Sequence, residues 1–236
     1  MTFVRTYHGS RRGFSLVELS IVLVILGLLV GGVLSGQSLI RAAQLRSVGT
    51  EYNKFSVAIK SFKDKYFVIP GDMINATQFW GAADGNDGLG NDCRAAQTND
   101  IRTCNGNGDG LISAYPGYEY ARFWQHLSNA SLIEGAYVGT AHPFVTGCDP
   151  NQGGCLGPAT KYNSGRWSAV NVNGTVNTFD YYAGKSALFI NTETGGNPYT
   201  ASNLTAEDAW NIDTKLDDGR PGFGSIMTSR VGICDT

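Results

Sequence analysis

Charge is scarce in this sequence. Asp, Glu, Lys and Arg make up 16% of the 236 residues, where about a quarter is usual for a soluble globular domain. The 18 basic and 20 acidic side chains nearly cancel, and apart from Arg11-Arg12 the basic ones are scattered. That distribution gives no electrostatic footprint for nucleic acid, and no nucleic-acid partner is expected. Histidine is almost as rare, at positions 8, 126 and 142. The sequence has no H-E-x-x-H, no G-x-S-x-G and no phosphate loop, so nothing in it specifies hydrolytic or nucleotide chemistry. The expectation is a protein that is not an enzyme.

The five cysteines, Cys93, Cys104, Cys148, Cys155 and Cys234, include no C-x-x-C pair and have no flanking histidine at zinc spacing, which argues against a structural zinc site. Cys93 with Cys104, and Cys148 with Cys155, lie close together in Gly/Asn-rich stretches. Two local disulfides in an oxidising compartment are one reading, and five reduced, inert thiols are the other. Cys234 is left over in the first.

Long apolar runs are absent except for one. Phe14–Leu34 is apolar almost throughout, long enough at about 20 residues to span a bilayer as a helix. Before it stands a short polar segment with Arg5, Arg11 and Arg12, whose charge favours retention on the cytoplasmic side. Glu18 interrupts the run. A carboxylate there costs a few kcal/mol and marks function or a specific partner. A secretory signal would lack it, and no A-x-A-like cleavage site follows the run. The alternative is a plain signal anchor whose Glu18 snorkels to the headgroups.

Arg11-Arg12-Gly13 followed by Phe14-Ser-Leu-Val-Glu18 resembles the processing motif of type IV prepilins and type II secretion pseudopilins. The resemblance covers about 35 residues. It implies cleavage by a prepilin peptidase between Gly13 and Phe14, N-methylation of Phe14, and an assembly role for Glu18, the fifth residue of the mature chain. The physics is compatible: the new amine at Phe14 of one subunit would neutralise Glu18, a carboxylate without a partner in its own chain, on a neighbour shifted along the axis. Many major pilins have a proline near the twenty-second mature residue, where this sequence has Ser35. That difference favours a minor pilin or pseudopilin.

Beyond Gly36 the pattern becomes amphipathic. Leu45, Val48, Tyr52, Phe55, Ile59, Phe62 and Tyr66 recur at steps of three and four, with Arg46, Lys54, Lys60, Lys63 and Asp64 off the stripe. One helix from Phe14 to about Tyr66 would be about 80 Å long, ended by Pro70-Gly71. Short helices are expected over 72–80, capped by Asp72, over 117–129, and over 205–216, with Thr205 as N-cap and Asp208 completing the capping box. Strand candidates are 167–172, 178–182, 187–191 and 225–233. The fold class is α+β: a long helix on a small antiparallel sheet, with long disulfide-stapled loops, similar to the pilin fold. The expected parts are a leader (1–13), a transmembrane and assembly helix (14–36), its amphipathic continuation (37–66) and a globular head (67–236).

Two head segments carry calcium-type oxygen donors. Asn105, Asn107 and Asp109 alternate before Gly110, as in the first half of an EF-hand loop, although Pro116 stands where the closing acid would be. Asp84, Asn86, Asp87 and Asp92 lie nearby in sequence. Asp213, Asp217 and Asp218 form the second cluster, similar in kind to the head loop in which some pseudopilins bind calcium. The alternatives are a loop with Asn and Asp in turns, and a helix end terminated by Gly219.

The functional expectation is a pilin-like structural subunit of a type IV pilus or type II secretion pseudopilus. Its partners would be the peptidase, the membrane and other subunits. It would sit in the inner membrane with a periplasmic head, exposed or trans-periplasmic after assembly. The competing readings are a tip adhesin or ligand-binding module on the same scaffold, and an anchored periplasmic enzyme.

Overall fold

The computed structural model describes residues 13, 15–83, 101–113, 119–137, 139, 157–162, 165–172, 185–191, 204–220 and 224–226. The chain divides into two compact units, Met1–Ala43 and Gln44–Thr236.

Helix α1, Leu16–Tyr66, has 51 residues. In its first part the apolar side chains from Leu16 to Leu34 are all exposed, and the stretch has the length and composition to cross a membrane. Within the second unit the expected stripe faces inward: Leu45, Val48, Phe55 and Phe62 are buried, while Tyr52, Ile59 and Tyr66 pack at its margin. Gly49 and Ala58 are buried beside them. A Cβ on Gly49 would come within 3.2 Å of Leu216, so the small residue lets α1 approach the last helix closely. Arg46, Lys54, Lys60, Lys63 and Asp64 are exposed, as the 3.6-residue period requires.

The helix stops at Tyr66, before the proline. Phe67 takes a left-handed conformation (φ 59°) and donates its amide to the Lys63 carbonyl at 2.8 Å. This is a C-terminal cap of the kind usually made by glycine. Pro70-Gly71 then turns the chain inward. Gly71 has φ 89°, and a Cβ there would stand 2.6 Å from the Glu119 carbonyl, so the position excludes any side chain.

Helix α2, Ala76–Trp80, is shorter than the 72–80 expectation, and Asp72 does not cap it. Its N-cap is Asn75, which makes no side-chain cap. The Thr77 amide is instead satisfied by Asn105 Oδ1 at 2.9 Å, from 28 residues away. Helix α3, Glu119–Asn129, is buried continuously from Glu119 to Leu127. Helix α4, Ala206–Leu216, starts as the sequence indicates, with the Thr205 side chain accepting from the Asp208 amide.

Strands β1, Arg166–Val172, and β2, Lys185–Asn191, pair antiparallel, with Ala169 opposite Leu188. Trp167 and Ala169 are buried while Arg166 and Ser168 are partly exposed, the alternation of a sheet with one face on the core. The candidates at 178–182 and most of 225–233 lie outside the described residues. Phe55 is the hub of the packing, edge-on to Trp124 at 5.0 Å and to Trp167 at 5.5 Å. Such aromatic pairs are worth about 0.5–1.5 kcal/mol beyond area burial. Glu51 fastens the same helix to β1, accepting from Trp167 Nε1 at 2.8 Å and from the Lys161 amide at 3.2 Å.

Cys104 is buried and disulfide-bonded. Cys93, Cys148, Cys155 and Cys234 lie outside the described residues.

Candidate functional site

At the amino terminus, Gly13 is exposed and outside the helix. A Cβ there would meet nothing within 4 Å among the described residues. Phe14 lies outside the described residues. Ser15 accepts from the Val17 amide through Oγ at 3.3 Å, while its own amide donates to Glu18 Oε2 at 2.9 Å. This is a capping box, S-x-x-E, and it starts α1 two residues after the Gly13–Phe14 bond. The expectation that Glu18 lacks a partner in its own chain is therefore corrected. The carboxylate is the N3 cap of its own helix, favoured there also by the helix dipole.

In the head, a loop from Asn105 to Ser113 folds around two buried carboxylates. Asp72 Oδ1 accepts from the amides of Gly108 at 2.6 Å and Asp109 at 3.1 Å, and its Oδ2 accepts from Gly110 at 2.8 Å. Glu119 accepts from Asn107 and Ser113, both at 2.8 Å. Burial pushes both carboxyls above the usual range, the amide bonds pull them back, and mutual repulsion with Asp109 adds to the rise.

Of the expected calcium trio, Asn107 and Asp109 meet side chain to side chain, the Asn107 amide donating to Asp109 Oδ2 at 2.9 Å. Asn105 caps α2, and the Asn107 oxygen receives the Asp109 amide at 3.0 Å. Asp109 shares a cluster with Asp72 and Glu119, their oxygens lying within 4.8 Å of one another. Asp72 and Glu119 were missed because each lies in a different segment from the Asn/Gly loop. Asp84, Asn86, Asp87 and Asp92 lie outside the described residues.

Behind the loop, His126 is fully buried. Gly71 N–H donates to Nδ1 at 3.0 Å, which fixes the proton on Nε2. That nitrogen donates to Thr103 Oγ1 at 3.0 Å, and the Thr103 hydroxyl donates to Gln125 Oε1 at 2.7 Å. Arg122 Nη1 meets the same Gln125 oxygen at 3.0 Å, and Gln125 Nε2 closes the chain on the Arg102 carbonyl. Burial, followed by the Arg122 charge, lowers the imidazole pKa from 6.5 to about 3, against a smaller opposing effect from the Cys104 backbone. Phe62 and Trp80, stacked and tilted against the ring, add no charge.

A pH dependence follows. The unfolded chain protonates this imidazole as pH falls through about 6.5, but the folded protein does not until about 3. The stability contributed by the neutral ring is complete above that window and is lost through it on acidification, at up to about 1.4 kcal/mol per pH unit. Asp72 and Glu119, with raised pKa values, act with the opposite sign and favour the fold more at low pH. Comparing denaturant unfolding of wild type and His126→Gln from pH 7 to 4 isolates the imidazole contribution. The wild type is expected to lose stability more steeply, and parallel curves would refute the assignment.

The second acidic cluster does come together. Carboxylate oxygens of Asp213, Asp217 and Asp218 lie within 4.8 Å of one another at the end of α4. Asp213 is 1% exposed, and neither of its oxygens has a hydrogen-bond partner in bonding geometry. Burial raises its pKa, the Asp218 and Asp217 charges raise it further, and the Gly219 amide opposes them. Asp217 Oδ2 accepts from the amides of Ser225 and Ile226, the latter at 2.9 Å, and Asp218 Oδ1 accepts from Arg220 N at 2.8 Å.

Residues 9–34 match the family model described as the prokaryotic N-terminal methylation motif, in agreement with a type IV prepilin-like protein. No curated protein and no solved structure matches the chain.

Proposed function

We propose that this chain is a pilin-like structural subunit, cut between Gly13 and Phe14 by a prepilin peptidase, methylated on Phe14 and assembled through α1. The observation that carries this is the methylation motif over residues 9–34, set on a helix whose apolar side chains from Leu16 to Leu34 are all exposed. Such a surface is stable in lipid, or against similar helices, and not in water. Gly13, which no contact among the described residues demands, is then a recognition element for the peptidase.

On this reading α1 anchors the protein in the inner membrane with its head in the periplasm, and α1 leaves the lipid as the filament grows. The filament is a type IV pilus or a type II secretion pseudopilus. Ser35 in place of a proline favours a minor pilin or pseudopilin. The buried carboxylates and His126 are engaged in holding the fold, and the proposal assigns no catalysis to them. Cys93–Cys104 and Cys148–Cys155 pairing would staple the loops in that compartment, in keeping with the bonded state of Cys104.

Mass spectrometry of the membrane-extracted protein tests the proposal. The expected mature chain begins with N-methyl-phenylalanine at position 14. An amino terminus that retains the leader, in a host with an active peptidase, would sink it. A second reading, a tip subunit that binds a ligand, is favoured by the outward-facing aromatics Phe67, Phe79 and Trp210, and it keeps the same processing.

A further inference from the structure

Phe67 carries two costs at once. Its side chain is 90% exposed, and its backbone holds the left-handed conformation at φ 59°, which is unfavourable for a residue with a Cβ. Glycine would remove both costs and still cap α1. The fold of its own chain therefore does not account for the phenyl ring, whereas a pocket on a partner would. Ten residues earlier the same helix lines such a pocket. It is an open groove of about 580 Å³ bounded by Val57, Ala58 and Leu132, with Asn53, Lys54 and Ser61 beside them. Val57 is 62% exposed there.

We infer that Phe67 of one copy seats in the Val57–Leu132 groove of a second copy of this chain, joining head to head along the filament. The inference rests on the pilin-like reading above. The ring does not fill the groove of its own chain, because about 15 Å of helix axis separates Val57 from Phe67. Subunits anchored in one membrane run their α1 helices parallel, and an axial shift of about 15 Å then brings the ring of one level with the groove of the next. Charge favours the same pairing. Lys63 and Lys65, against the single Asp64, stand exposed next to Phe67, while the exposed Glu134 carboxylate stands at the groove, 3.6 Å from Lys54 Nζ. A shift that raises one copy lowers the other, so a parallel pair cannot exchange rings by two-fold symmetry. Each contact leaves one ring and one groove open, the condition for an open filament and not a closed dimer.

Photo-crosslinking tests the pairing on the full-length chain. Phe67→benzoylphenylalanine places a photoreactive ring at the contact. Sheared filaments are irradiated and their cross-linked peptides mapped by mass spectrometry. A ladder of dimers, trimers and higher species is expected, with attachment between Asn53 and Ser61 or at Leu132 of the neighbouring copy. Dimers alone, or attachment elsewhere in the chain, to another protein or to lipid, would overturn the inference.

Two substitutions separate assembly from fold. Phe67→Gly and Val57→Asp should each reduce incorporation into filaments about tenfold or more, with cleavage at Gly13–Phe14 unchanged. Phe67→Gly in detergent should melt no lower than wild type, because glycine relieves the left-handed backbone. A lower melting temperature would mean that the ring serves its own chain, and normal incorporation of either variant would refute the contact. A wild type that keeps its leader would instead sink the pilin-like reading, and this contact with it.

Discussion

Asp72→Ala should lower the stability of the Gln44–Thr236 unit by about 3 kcal/mol, a drop in Tm of about 6–12 °C for a unit of this size. Three amide N–H groups converge on the Asp72 carboxylate. A hydrogen bond to a charged acceptor is worth about 1.5–3 kcal/mol, roughly twice a neutral one. Two effects reduce the sum. Gly108, Asp109 and Gly110 are exposed, so water can reach their amides after truncation. Removing the carboxylate also relieves its burial and its repulsion with Asp109 and Glu119.

Asp72→Asn keeps one acceptor oxygen, which can still serve Gly108 and Asp109, and is expected to cost about half as much. Asp109→Ala removes an exposed side chain that only bonds Leu111 and Asn107 within its own turn, and should cost less than about 1 kcal/mol. Denaturant unfolding of the three variants decides the matter. A larger effect for Asp109 than for Asp72 would mean that the loop is organised from within and not by the buried carboxylate.

How much of this was legible depended on the distance over which a residue finds its partner. The stripe from Leu45 to Tyr66 was legible because helical periodicity is local, and so was the Thr205–Asp208 cap. Asp213, Asp217 and Asp218 are neighbours in sequence at the end of α4, so that their carboxylates lie close together was legible. Ser15-x-x-Glu18 carried the same local signal, but Glu18 was read only as a charge in a membrane. Asp72 and Glu119 were illegible. Their partners lie 36–38 and 6–12 residues away, in a loop whose Asn and Gly content suits turns with or without a metal. Asn105 capping α2 is the same kind of miss. The last turn of α1 showed a different limit: its end at about Tyr66 was legible, but not the means, since Phe67, in a conformation that glycine usually supplies, caps it ahead of Pro70-Gly71.

The capping box also changes what Glu18 must do, and it separates two roles that a single truncation would confuse. In its own chain the carboxylate caps the Ser15 amide, a local role worth about 1 kcal/mol that glutamine can perform as well. In the proposed assembly it neutralises the Phe14 amine of a neighbouring subunit, a role that needs the negative charge. An amine carried into an apolar bundle without that charge costs several kcal/mol, and even 1.4 kcal/mol is about tenfold in an equilibrium. Glu18→Gln and Glu18→Ala should therefore both be cleaved at Gly13–Phe14 and both fall at least tenfold in incorporation into filaments. Quantifying sheared filaments against membrane-retained subunit provides the measurement. Normal incorporation of Glu18→Gln alongside failure of Glu18→Ala would show that the cap, and not the charge, governs assembly. Normal incorporation of both would remove Glu18 from assembly altogether.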